Sequence, residues 1–304
     1  SYPECSVKLM YEAGFHGFTL HDQLIASGVE CDVLPPHLLV EPKNNKIKTD
    51  KRDAQRLART LETHDYRDAC SVPDKERRED RQINRTMVQI QRKITATKNQ
   101  LRRELEFHGL DDNFKSGTWY PSDYKELRMR ITQFNLSHSL QFSFEAMMDT
   151  LDFLIQKKKE LHAELRLLMR KDRYKRQMEI YTSIPGIGKL TAIRLILEWG
   201  DLQRFSSGKK LSSFTGMVPC EFSTGDSIRK GHITGQGNRQ TRAWLIESAW
   251  VAIRYDPILS EKYTAIFNRT RSKKIAIVAV ARKIAVRMRA CILANELYQI
   301  GVVK

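Results

Sequence analysis

The 304-residue sequence has no long hydrophobic run. Its longest wholly apolar stretch, Ile275 to Ala281, falls far short of the roughly 18 residues a membrane-spanning helix needs. Residues 1–10 carry Glu4, Lys8 and a proline where a secretory signal would need an apolar segment. Cysteine is scarce. Cys5, Cys31, Cys70, Cys220 and Cys291 form no C-x-x-C pair and are odd in number, which argues against a zinc site or a disulfide framework. Acids are also in short supply, 36 Asp and Glu against 52 Lys and Arg, for a net charge of +16. These absences predict a soluble protein of a reducing cytoplasm, with no membrane partner. The basic surplus predicts a polyanionic partner, nucleic acid first. No internal repeat or low-complexity tract is visible, and the length suggests about two domains with ample core.

Residues 5 to 34 read as strand, helix, strand. Ser6 to Tyr11 alternate polar and apolar, Leu20 to Ala26 are amphipathic, and Cys31 to Leu34 form a second strand closed by Pro35-Pro36. That fragment suggests a sheet covered by helices. A basic loop with Lys43, Lys46 and Lys48 follows, and Thr49-Asp50-Lys51-Arg52-Asp53 opens a helix through Leu61. Beyond residue 73 the pattern changes. Ile83, Met87, Ile90, Ile94, Thr97 and Leu101 recur at heptad intervals, as do Phe144, Met147, Leu151, Leu154, Leu161, Leu165 and Leu168, with Lys158 interrupting the second series. This predicts a coiled-coil arm over residues 74–178, with 111–143 as its connection. An intrachain hairpin and a homodimer seam satisfy the pattern equally. Residues 179–304 read as a mostly helical third region.

Several groups carry candidate chemistry. Asp50 and Asp53 place two carboxylates on one helix face, suited to a shared cation or to capping the helix as N-cap and N3 acids. Glu12 ends the first strand, a position suited to a ligand site and equally ordinary for a solvated acid. Gly186, Gly188 and Lys189 resemble the turn of a helix-hairpin-helix, whose backbone N–H groups meet a DNA phosphate, or a plain helix-helix turn. Ser223 and Thr224 offer hydroxyl nucleophiles near Arg229, Lys230, Arg239 and Arg242, cations able to neutralise a phosphoryl transition state, although Ser-Thr-Gly also serves as a mere turn. From Arg269 to Arg289 there are eight basic residues, among them Lys273, Lys274, Arg282, Arg287 and Arg289, and no acid. That composition suits a phosphate-tracking surface better than a mixed solvated face.

Taken in order, Tyr11-Glu12-Ala13-Gly14, Ile47 to Ala54, Ser183 to Gly188, and Phe214 to Pro219 running into Ser223-Thr224-Gly225, Gly231 to Thr234 and Gly237-Asn238 resemble the insertion sequence one-ten family. These are the DEDD transposases related to pilin-gene invertases. The resemblance implies an α/β RuvC-like (RNase H-like) N-terminal domain over residues 1–73, the coiled-coil arm, and a helical C-terminal transposase domain carrying a serine nucleophile. It makes Glu12, Asp50 and Asp53 the second, third and fourth acids of a magnesium-binding set. It places the first acid and its strand ahead of Ser1, so the N-terminal domain is expected without its first strand. The family's nucleophile directly precedes a glycine; here Thr224 holds that place and Ser223 stands before it, with Ser223 the expected nucleophile. The implied partners are double-stranded DNA at element ends and target, a structured bridge RNA, and further copies of the chain as a dimer or tetramer, in the nucleoid of a prokaryotic cell. The resemblance implies a recombinase working through a covalent serine-DNA intermediate. A silent nucleic-acid-binding protein and a metal-dependent nuclease or junction resolvase remain the alternatives.

Overall fold

The computed structural model describes residues 7–35, 49–63, 69–110, 121–221 and 230–302, with backbone alone for 121–125 and 230. The chain divides into two units, residues 1–74 and 75–304.

In the first unit, β1 (Lys8–Glu12) pairs in parallel with β2 (Glu30–Leu34), placing Met10 opposite Asp32 and Glu12 opposite Leu34. Parallel pairing demands a crossover, supplied by α1 (Thr19–Ala26), so the strand-helix-strand expectation holds. The helix α2 (Asp50–Glu62) packs on β1, where Leu57 and Leu61, one turn apart, cover the buried Met10 and Leu34. Its N-cap is Thr49, whose hydroxyl accepts from the Arg52 N–H at 3.4 Å. The capping expectation for Asp50 is thereby corrected. Threonine takes the cap, and both acids lie inside the first turns, near the positive end of the helix dipole.

The second unit is built on two long helices, α3 (Lys75–Phe107) and α5 (His138–Leu168). They pack antiparallel: Met87, early in α3, shares a core with Leu165 and Leu168 at the end of α5, while Leu101 and Leu105 meet Phe144 and Met148 at its start. The heptad apolar positions are therefore consumed within one chain, and the intrachain hairpin is the alternative realised. The inward stripe of α5 takes Met148 into the core and leaves Met147 at its edge. Within the expected connection, α4 (Pro121–Gln133) caps the distal end of the hairpin with Leu127 and Ile131.

The remaining elements are α6 (Asp172–Thr182), α7 (Lys189–Trp199), α8 (Gly208–Phe214), the short antiparallel strands β3 (Pro219–Glu221) and β4 (Lys230–Ile233), α9 (Arg239–Ala252), α10 (Pro257–Thr270) and α11 (Lys273–Ala294). Here α11 is central. Ala276, Ile277, Val280, Ala281, Ile284, Ala285 and Met288 repeat at helical spacing and are buried against α8, α9 and α10. The same core reaches Met87, Leu165 and Leu168, so the base of the arm is packed into the helical body.

Candidate nucleic-acid interface

The three expected metal ligands lie on two elements that pack together. Glu12 is exposed at the end of β1, Asp50 is exposed at the first position of α2, and Asp53 is half-buried with Oδ1 2.8 Å from Arg56 Nη2. Among the described residues no three His, Cys, Asp or Glu side chains group closely enough to hold a metal ion. Glu12, Asp50 and Asp53 alone do not assemble the expected magnesium centre, and one of them is already neutralised by an arginine.

The glycines expected to approach a phosphate do different work from one another. Gly186 has φ of +83°, and a Cβ there would lie 2.2 Å from the Ser248 carbonyl oxygen. Its Cβ side is pressed against α9, so glycine at this position permits the close packing of that helix. Gly188, the N-cap of α7, has open space around its Cβ position, and Lys189 beside it is exposed.

A second junction is tighter. A Cβ on Gly216 would fall 1.8 Å from the Gln236 carbonyl oxygen, and one on Gly237 would fall 2.1 Å from that of Phe214. The loops after α8 and before α9 thus interlock backbone against backbone, aided by Thr234 N to Val218 O at 2.8 Å and Gly235 N to Gly216 O at 3.2 Å. This accounts for the motif pieces Phe214-Thr215-Gly216 and Gly237-Asn238: they touch. Above the junction β3 and β4 pair, Pro219 opposite Ile233 and Glu221 opposite Lys230. The hairpin brackets residues 222–229, so Ser223, Thr224 and Arg229 lie outside the described residues, as do Lys43, Lys46 and Lys48.

Arg239 is exposed at the start of α9, as a phosphate contact would be. Arg242, on the same helix, is half-buried. Its Nη1 donates to the carbonyls of Gln236 (2.9 Å), Thr215 (3.2 Å) and Gly237 (3.4 Å), clamping the interlocked loops. Burial, and then the like charge of Arg239, lower its pKa.

The basic run is also divided by the fold. Lys273 and Lys274 are exposed at the start of α11, and Arg282 is half-buried farther along it. Arg287 is buried, its Nη1 3.2 Å from Asp256 Oδ2 and bonded to the Tyr298 hydroxyl. Arg289 donates from Nε to the Phe205 carbonyl at 3.0 Å. The phosphate-tracking expectation therefore fails for these two, because their long stems follow the apolar face of α11 into the body.

Sequence reading overlooked Glu198. This buried carboxylate accepts from Asn84 of α3 at 2.9 Å and from Asn238 at 3.1 Å, and lies 3.7 Å from Arg85. Asn238 in turn caps α9, accepting from the Gln240 N–H at 2.8 Å. The signal present in the sequence was an acid embedded in Leu195-Ile196-Leu197-Glu198-Trp199, where burial demands partners.

Residues 178–264 match the family described as Transposase IS116/IS110/IS902 family. The chain is 28% identical over 260 residues to protein y4qE of Sinorhizobium fredii, covering 84% of this chain and 61% of that protein. It is 33% identical over 123 residues to the transposase for insertion sequence element IS1111A of Coxiella burnetii, covering 39% and 34% respectively. To the pilin gene-inverting protein of Moraxella bovis it is 32% identical over 120 residues, covering 38% and 37%. The chain thus spans from 34% to 61% of the length of these relatives.

Proposed function

From the premise that this chain is a relative of the IS110-family transposases and carries their domain at residues 178–264, we propose that it acts as a DNA recombinase. It binds the ends of a mobile element and a target duplex and exchanges strands by phosphoryl transfer. The observation that carries this reading is the glycine interlock of Gly216 with Gln236 and of Gly237 with Phe214, which lies inside the matched segment next to the paired strands β3 and β4, between which Ser223 and Thr224 fall in the sequence.

In this reading the Ser223 hydroxyl attacks a DNA phosphorus. The Oγ–P bond forms as the bond from phosphorus to a deoxyribose oxygen breaks, and the released oxygen takes up a proton while the serine gives one away. Attack by the hydroxyl of a second strand reverses the step and rejoins the backbone. An unactivated serine is a poor nucleophile, so the site needs a proton acceptor and positive charge. Arg229, Lys230 and Arg239 supply the charge; a carboxylate of the RuvC-like domain of another protomer takes the proton. A structured bridge RNA chooses the sites, and its phosphates are met by the charge of +16. Magnesium at Glu12, Asp50 and Asp53 would require Asp53 to leave Arg56 and a further ligand to join, so no step is assigned to it. Because the arm's seam is filled internally, assembly into dimers or tetramers uses other surfaces.

Peptide mapping of a trapped protein-DNA adduct tests the proposal. Linkage at Ser223 supports it, and linkage at Thr224 moves the role by one residue. Strand exchange by a Ser223→Ala, Thr224→Val double variant refutes the assignment to this loop. The unassembled acid set favours a second reading, a catalytically silent binder, which predicts nucleic-acid binding with no adduct. Metal-dependent hydrolysis without an adduct would identify a nuclease instead.

A further inference from the structure

At the foot of the arm a half-open pocket of about 520 Å³ lies between α3, α5, α7 and α9. Its ionisable lining groups are Arg92, Lys158, His162 and Arg194, and no carboxylate lines it among the described residues. None of these four has an ion-pair partner among the described residues. Arg194 stacks its guanidinium over Trp244 at 5.1 Å and points Nη2 at Met87 Sδ, 3.3 Å away, while its Nε is buried without a hydrogen-bond partner.

Burial pushes the Arg194 pKa down to about 10, opposed by the exposed Glu247 on α9. Burial and then Arg194 lower Lys158; burial and then Arg194, Lys158 and Arg166 lower His162. Like charges gathered in a partly dry space repel one another and lose hydration, so the arrangement is one that a bound anion relieves. The volume lies within the range of roughly 300–1,000 Å³ typical of small-ligand pockets. A guanidinium fork and an ammonium suit tetrahedral phosphate oxygens. The neutral polar groups of Gln91 and Gln240 on the wall suit the sugar or base attached to it.

We propose that this cavity receives a phosphate group of a nucleic-acid strand, with Lys158, His162 and Arg194 as its ligands. The inference rests on the nucleic-acid reading above and specifies where, apart from the serine loop, a strand is held. Phosphate in the cavity favours protonated His162, so binding takes up a proton and tightens as pH falls.

The test uses the full chain, labelled single-stranded and duplex oligonucleotides, and inorganic pyrophosphate as competitor. A Lys158→Gln, His162→Gln double variant should bind the better of the two oligonucleotides about tenfold more weakly. Its log-log salt slope should shrink by roughly 0.7–0.9 for each phosphate no longer neutralised, and pyrophosphate should no longer compete. His162→Gln alone should abolish the tightening between pH 7.5 and pH 5.5 expected for the parent, pH values spanning roughly the ordinary histidine range. Arg194→Lys, which keeps a cation at the same place, should retain partial affinity, whereas a Lys273→Ala, Lys274→Ala control should keep pyrophosphate competition. A parent that binds no oligonucleotide overturns the nucleic-acid reading. A parent that binds, with affinity, slope and competition unchanged in the double variant, overturns the cavity inference alone. Competition by pyrophosphate only against other free phosphates assigns the cavity to small anions and overturns its role on a strand.

Discussion

The Glu198 carboxylate lies 3.1 Å from Asn238 Nδ2, tying a buried acid of α7 to the residue that caps α9. The same carboxylate reaches Asn84 of the arm. One side chain therefore fixes the arm, the helix behind the glycine turn, and the entry to α9 just after the interlocked loops. Replacing it with alanine leaves two amide donors and Arg85 without their acceptor. Glu198→Ala should cost about 3 kcal/mol, read as a lower urea midpoint at unchanged slope, and Glu198→Gln should cost less because one oxygen acceptor remains.

Glycine substitutions should sort by geometry and not by motif. Gly186→Ala, Gly216→Ala and Gly237→Ala each set a Cβ into a backbone carbonyl at positive φ, so each should destabilise by more than about 1 kcal/mol. Gly188→Ala meets open space at φ of −77° and should be nearly neutral for stability. Thermal melts of the four variants check the order; equal losses would show that the interlock does not govern it.

Introducing a charge at Ile94 should break the arm itself. Ile94 is 4% exposed and shares its core with Leu101, Phe144 and Met148, so Ile94→Asp buries an unpaired carboxylate at a cost of about 3 kcal/mol or more. The expected result is loss of helical circular dichroism from the arm. Separation of an oligomer with full helical signal would instead place the seam between chains.

His162 gives a pH test with a definite sign. Its folded pKa is lowered, by burial first and by three basic neighbours after it. Above the ordinary histidine value of about 6.5 both states are neutral there and nothing is lost. As pH falls below it the unfolded chain takes the proton more readily, so the folded state loses stability until the folded pKa is passed. In phosphate-free buffer, parent stability should drop more steeply than that of His162→Gln between about pH 6.5 and 5. Parallel curves would remove the histidine from this balance.

Local order was largely legible in the residues. The alternation of Ser6 to Tyr11 and the cluster Pro35-Pro36 located a strand and its end, and heptad spacing located both arm helices. Periodicity states which face is buried, but not against which chain, so the choice between hairpin and dimer waited on the structure. The site was less legible. Arg242, Arg287 and Arg289 have the composition of phosphate contacts, yet each donates to a group distant in sequence: the Thr215 carbonyl, Asp256 and the Phe205 carbonyl. Conversely, Lys158 interrupts the heptad series because it faces a cavity whose lining includes α7 and α9 as well as the partner helix α3. Pairings of that kind are set by tertiary packing and leave no trace in spacing.

The arm has one further consequence, which is mechanical. The 33 residues of α3 are held at their foot by the core of the helical body, while the far end, around Leu127 and Phe144, has a core of its own. At 1.5 Å per residue such a rod reaches about 50 Å, so a tilt of about 10° at the foot sweeps the tip through about 9 Å, nearly three base-pair steps of duplex. A small tilt at the foot that preserves its packing is thus magnified, at the tip, into a displacement of several ångströms.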